Sequence, residues 1–131
     1  MKVTRPKAAF ADSRGLILDI VDDVNLSSVT LITNKKGAVR GNHFHKETVQ
    51  YTFVLSGRVK YVSKGPRGRR SAVLKAGDLA VSPPNEAHAT EALTDATFLA
   101  LSSGPRHGRN YEADTFRLTV PLLSPKKSAR K

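Results

Sequence analysis

Residues 37–57, GAVRGNHFHKETVQYTFVLSG, decide how this chain is read. His43 and His45 are two positions apart, so on an extended backbone both rings leave the same face. From Thr48 to Leu55 the pattern alternates: Tyr51, Phe53 and Leu55 take one face, and Gln50, Thr52 and Val54 take the other. The second face starts polar and ends apolar, as a β structure with a wet mouth and a dry floor requires. Arg40 stands three positions before His43. An unbroken strand would aim it at the opposite face, and only a bulge would bring both into one pocket.

The same alternation extends on both sides. Residues 8–21 read as strand, turn at Asp12 to Gly15, and strand, with Asp, Ser and Gly supplying the turn chemistry. Residues 27–33 form a further strand, and Asn34 to Gly37 turns the chain. Ser56-Gly57 turns it again into 58–63, where Val59 and Tyr61 share a side. KGPRGRR, 64–70, is a charged turn. Short extended runs follow at 71–74 and 79–82, and Pro83-Pro84-Asn85 makes a rigid bend. That bend delivers 86–92 as a strand on which His88, Thr90 and Ala92 share a face. Residues 96–102 continue the pattern, 103–114 read as a polar loop, and 115–122 as a last strand that Pro121 restricts to an edge. No helix-period segment is present. Many short strands separated by Gly/Pro turns indicate an all-β fold, a barrel or sandwich of the jelly-roll kind.

The histidine stretch resembles the first motif of the cupin superfamily: a glycine, five residues, His-x-His, three or four residues, a glutamate, six residues and a glycine. Gly37, His43, His45 and Gly57 fall in register, with Gln50 in the place of the glutamate. Gly77, Pro83 and His88 match the second motif, with Asn85 in place of its glycine and Ala92 in place of its asparagine. The resemblance implies a double-stranded β-helix, a jelly-roll barrel of the cupin type. It also implies a homodimer, for which Leu16, Leu18 and Ile20 or the last strand would supply the contact. Arg40-Gly41-Asn42-His43-Phe44-His45 with Gln50 is further similar to a phrase of the nucleotide-sugar ketoisomerase branch. Phe10-x-Asp12-x-Arg14-Gly15 resembles a hairpin near the start of that branch and of the epimerases.

The 131 residues suit one domain, taken as 1–123, with 124–131 a basic disordered tail. The chain has no cysteine, so any metal would rest on nitrogen and oxygen ligands. No apolar run is long enough for a signal peptide or a membrane span, which makes a cytoplasmic protein the default. The formal charge of +11 comes largely from clustered turn and tail residues. Without a recognition helix or an aromatic strand pair it is read as solvated charge rather than a nucleic-acid surface.

Two chemistries are open at this point, and the presence of His88 at the second-motif position makes the metal site the main reading and the metal-free one the alternative. In one, His43, His45, Gln50 and His88 hold a single divalent transition metal (Fe, Mn, Ni, Cu or Zn) for a small-molecule enzyme, a dioxygenase or an isomerase. Gln50 is neutral, so such an ion would keep its full charge and favour an anionic or sugar-like substrate. In the other, the resemblance to sugar ketoisomerases and epimerases makes His43, His45 and His88 metal-free acid/base catalysts beside a carbonyl. A non-catalytic sensor is a third possibility. Arg40, Tyr51, Phe53, Tyr61 and Thr90 are the candidate pocket residues, although Tyr51 and Phe53 oppose Gln50 in strand parity. Arg106, His107, Arg109 and Tyr111 are candidates for a lid.

Overall fold

A computed structural model describes residues 1–104 and 113–125 of the chain. Among these residues the strands are β1 (Lys2–Thr4), β2 (Ala8–Asp12), β3 (Gly15–Leu18), β4 (Ser28–Asn34), β5 (Val39–Phe44), β6 (Val49–Ser56), β7 (Arg58–Gly65), β8 (Gly68–Lys75), β9 (Leu79–Ser82), β10 (Ala87–Ala92), β11 (Ala96–Ser103) and β12 (Phe116–Arg117). They build two five-stranded sheets, ordered β1-β9-β6-β11-β4 and β12-β5-β10-β7-β8, and a separate β2-β3 hairpin. Every ladder is antiparallel.

The closed barrel expected from the sequence is corrected here. Among the described residues both large sheets are open, and no ladder joins β4 or β1 of the first sheet to β12 or β8 of the second. Alternation reports which side of a strand is buried; it carries no information on whether the outermost strands meet. The jelly-roll arrangement of two facing sheets stands.

The dry end of the space between the sheets is filled by Val54, Ala80 and Phe98 from one and Val59, Tyr61, Leu74 and Ala92 from the other. Burying each Val, Leu or Phe side chain contributes about 1.5–3 kcal/mol. The outer face of the first sheet carries Tyr51, Phe53, Leu79, Val81, Leu99 and Leu101, covered by Leu18, Ile20, Val21 and Leu26. The outer face of the second carries Phe44, Val62, Ala87 and Ala89, covered by Leu118, Leu122 and Leu123.

Two elements differ from the sequence expectation. β1 lies where the sequence reading places no strand, and it pairs with β9 to form an edge of the first sheet. The last strand is only two residues, Phe116–Arg117, rather than 115–122. Past it, Asn42 replaces the ladder. Its backbone carbonyl accepts the Leu118 N–H at 2.9 Å, its Oδ1 accepts those of Leu122 and Leu123 at 2.8 and 3.1 Å, and its Nδ2 donates to the Leu123 carbonyl at 2.8 Å. One side chain thus satisfies backbone groups that Pro121 prevents from joining a regular sheet. The proposed lid residues 106, 107, 109 and 111 lie outside the described residues, as does 126–131 of the tail.

Candidate functional site

The wet end of the inter-sheet space is set by a break in β5. His88 of β10 is opposite His43, but the next residue, Ala89, is opposite Gly41, so Asn42 is the extra residue of a bulge. Gly41 has φ +87° and Asn42 φ 58°, both in the left-handed region. A Cβ on Gly41 would sit 2.9 Å from the His88 carbonyl oxygen, so this close approach admits only glycine. The bulge resets the parity of the strand. Arg40 and His43 consequently line the same cavity, of about 190 Å³, together with Gln50, His88, Thr90 and Ser102.

A second left-handed residue delivers β10. Asn85, which stands where the cupin motif has glycine, has φ 68°, and its N–H donates to the His45 carbonyl at 2.6 Å. Asparagine is among the few residues with a side chain that tolerate this conformation, so the departure from the motif preserves its backbone geometry.

His43, His45 and His88 converge. One ring nitrogen of each lies within 4.8 Å of the others, and the ring centroids of His43 are 4.8 Å from both partners. His88 is buried, and neither of its ring nitrogens has a partner within ordinary hydrogen-bond geometry. Burial above all, then the neighbouring His43 and His45, push its pKa down to about 3, against a weaker pull upward from the Glu86 backbone. His43 is half-buried and opens on the cavity; burial, then His45 and Arg117, lower it to about 4. Both rings are therefore neutral at pH 7 and carry a lone pair.

The remaining candidates separate. Thr90 is buried and faces the cavity. Gln50 also faces it, its Nε2 set 3.4 Å from the Thr52 hydroxyl. Arg40 is held at the rim by Nε to Asn34 Oδ1 at 2.7 Å and by Nη2 to the Thr33 carbonyl at 2.9 Å. Tyr61 does not line the cavity. It is fully buried behind His88, ring stacked at 6.0 Å, with its hydroxyl bonded to Ser82. Burial raises its pKa to about 12, a shift that the hydrogen bonds with Ser82 and Thr52 partly offset and the Glu86 charge reinforces. Tyr51 and Phe53 are on the outer face of the first sheet, in the apolar cluster, away from the histidines.

Sequence reasoning missed Asp114, which is 3% exposed and accepts hydrogen bonds from the backbone of residues 46–48 while its carbonyl meets His45 Nδ1 at 2.9 Å. It also missed Arg117, whose charge reaches His43 from β12. Neither belongs to a spacing pattern, because both arrive from the far end of the chain.

The three imidazoles fit a divalent transition metal in donor type and number. Two ligands at about 2.1 Å from one ion are at most about 4.2 Å apart, a separation close to the 4.8 Å within which the three ring nitrogens lie. Because a carbonyl only accepts, the His45–Asp114 bond puts the His45 proton on Nδ1 and the lone pair on Nε2, the arrangement a metal-ligating histidine uses.

Residues 30–104 match the family described as Cupin domain. No curated protein matches. Several solved structures share the fold. A variant of the 3,4-ketoisomerase QdtA from Thermoanaerobacterium thermosaccharolyticum, in complex with TDP, is 25% identical over 88% of this chain and 86% of its own, with a TM-score of 0.73. The TDP-quinovose 3,4-ketoisomerase WlaRB from Campylobacter jejuni is 19% identical over 88% and 91%, TM-score 0.76. The dTDP-4-dehydrorhamnose 3,5-epimerase from Sulfolobus tokodaii is 22% identical over 86% and 73%, TM-score 0.69.

Proposed function

Since this chain belongs to the Cupin domain family, we propose that it is a nucleotide-sugar isomerase or epimerase that moves a proton beside a sugar carbonyl. The observation that carries the reading is the cavity itself: a neutral, half-buried His43 beside the amide of Gln50 and the hydroxyl of Thr90, with the Arg40 guanidinium at the rim. The solved structures with this fold, ketoisomerases and epimerases of TDP- and dTDP-linked sugars, support the same class.

The chemistry follows from the residues. The His43 lone pair removes the proton from the carbon next to the carbonyl, and the C–H electron pair becomes the C=C bond of an enediolate. The Gln50 Nε2–H and the Thr90 hydroxyl donate hydrogen bonds to the oxyanion as its charge develops. Return of the proton to the former carbonyl carbon, with a hydroxyl proton passing between the two oxygens, shifts the carbonyl by one position. Inversion of the original carbon instead requires a second acid on the opposite face to deliver a different proton there, while His43 keeps the one it removed. His43 is placed as the base because it opens on the cavity while His45 and His88 are each under 4% exposed. The sugar enters the cavity, and the anionic diphosphate extends past the rim toward Arg40.

The convergence of the three imidazoles supports a second reading, in which His43, His45 and His88, with Gln50 as a neutral fourth donor, hold a divalent metal. Such an ion would supply polarisation of the carbonyl oxygen. Elemental analysis of untagged protein purified without chelator distinguishes the two: stoichiometric metal favours the second, and a protein that also refuses added metal favours the first. The activity itself is tested by NMR of a TDP-linked 4-keto-6-deoxy sugar incubated with wild type and His43→Asn. Conversion by wild type and loss of at least about 100-fold in the variant is expected, and equal rates would refute the role of His43.

We also propose a homodimer through the β2-β3 hairpin, where Phe10, Leu16 and Ile17 are 53–63% exposed.

A further inference from the structure

We infer that Asp114 is a positioning residue that fixes the tautomer and direction of His45. This rests on the reading of the histidine cluster as the working site. Asp114 reaches the cluster from beyond β11, and both of its carboxylate oxygens are committed to the turn that follows His45. Oδ1 accepts from the N–H groups of Lys46 and Glu47 at 2.9 and 3.1 Å. Oδ2 accepts from the N–H groups of Glu47 and Thr48 at 3.2 and 3.0 Å and from the Thr48 hydroxyl at 2.8 Å. Burial alone would raise the carboxyl pKa; the bonds from Thr48, Lys46 and Glu47 outweigh it and hold the group ionised below its ordinary range. A buried carboxylate caging three successive amides is a rigid joint.

The same residue's carbonyl is 2.9 Å from His45 Nδ1. In water a neutral imidazole prefers its proton on Nε2. Here the carbonyl requires it on Nδ1, which makes Nε2 the lone-pair nitrogen that His45 offers among His43 and His88. Asp114 therefore acts on His45 at two points: the carboxylate sets the backbone after the ring, and the carbonyl sets the proton on it.

Asn at this position keeps the shape but cannot keep the bonds. Whichever way its amide is turned, an NH₂ group faces backbone N–H donors, because both oxygens now accept from them. The test is long-range ¹H–¹⁵N NMR of the histidine rings in the resting protein at pH 8, with wild type, Asp114→Asn and Thr48→Val, and circular dichroism as the check on folding. Wild type is expected to show His45 as the Nδ1–H tautomer. Asp114→Asn is expected to reduce that preference by about two- to tenfold, the worth of a hydrogen bond, and Thr48→Val to reduce it less. An Nε2–H ring in wild type overturns the inference, as does a wild-type tautomer ratio in folded Asp114→Asn. If Asp114→Asn does not fold, an unchanged ratio in Thr48→Val overturns it. No substrate is present, so an inactive protein with the expected His45 spectrum refutes the proposed reaction and leaves this assignment standing.

Discussion

Replacing His88 by Phe should flatten the acid limb of the stability curve. The imidazole is 3% exposed and has no partner at either nitrogen within ordinary hydrogen-bond geometry, so the fold holds it neutral, with a pKa of about 3. In the unfolded chain the ring titrates near 6.5. Between these values the unfolded state binds a proton that the folded state refuses, and folding stability falls with pH by about 1.4 kcal/mol per unit. The sign is fixed by the depressed folded value: the contribution is fully present above pH 6.5, shrinks as pH drops, and is lost once pH passes below 3. At pH 5 the loss from His88 is about 2 kcal/mol, which in a domain of this size lowers the melting midpoint by roughly 5–10 °C. Phe is a somewhat larger flat ring that cannot titrate, and any packing cost it brings is the same at every pH. The assay is urea unfolding at pH 8, 7, 6 and 5 with chelator present. Wild type should lose about 2 kcal/mol more than His88→Phe between pH 8 and 5, and parallel pH curves would refute the buried-neutral account of this ring.

Gly41→Ala should cost about 2–4 kcal/mol, because a left-handed backbone acquires a Cβ 2.9 Å from the His88 carbonyl oxygen; a urea midpoint within error of wild type would contradict the bulge geometry. Gln50→Glu adds a negative charge facing His43 and His88, and by calorimetry should tighten divalent metal binding tenfold or more, about 1.4 kcal/mol. Unchanged or weaker affinity would exclude Gln50 from the ligand set. Leu16→Glu at the exposed hairpin should convert a dimer to monomer in sedimentation velocity without changing the far-UV spectrum, and an unaltered sedimentation coefficient would remove the hairpin from the interface.

How far the sequence revealed the molecule depended on whether a feature was local. The interior of β6, with Gln50 and Thr52 giving way to Val54, was visible as alternation, because side-chain period alone sets it. The gathering of His43, His45 and His88 followed from motif spacing, since β5 and β10 are brought together by the jelly-roll order. Arg40 was a conditional case. Nothing in GAVRGNH states that Gly41 and Asn42 bulge, yet the structure does bulge there and carries Arg40 into the cavity with His43. Tyr51 and Phe53 followed strand parity to the outer apolar face, and Tyr61 followed it inward but too deep to reach the cavity.

What was illegible came from long-range pairing. The open edges of both sheets depend on which outer strands meet, and no residue pattern encodes that. Asp114 sits 69 residues after His45, and its role depends on a carboxylate finding three amides across the fold. The C-terminal segment looked like a strand by hydrophobicity, while its hydrogen bonds are taken up by Asn42.

The central claim is that the histidine cavity exchanges a proton at the carbon beside a sugar carbonyl. Its most direct test is incubation of a TDP-linked 4-keto-6-deoxy sugar with the protein in D₂O, following carbon-bound deuterium by NMR and mass spectrometry. Incorporation of one deuterium next to the carbonyl or at the former carbonyl carbon, abolished in His43→Asn, is the predicted result. An unlabelled, unconverted sugar after prolonged incubation with folded wild-type protein, both metal-free and metal-supplemented, would contradict it.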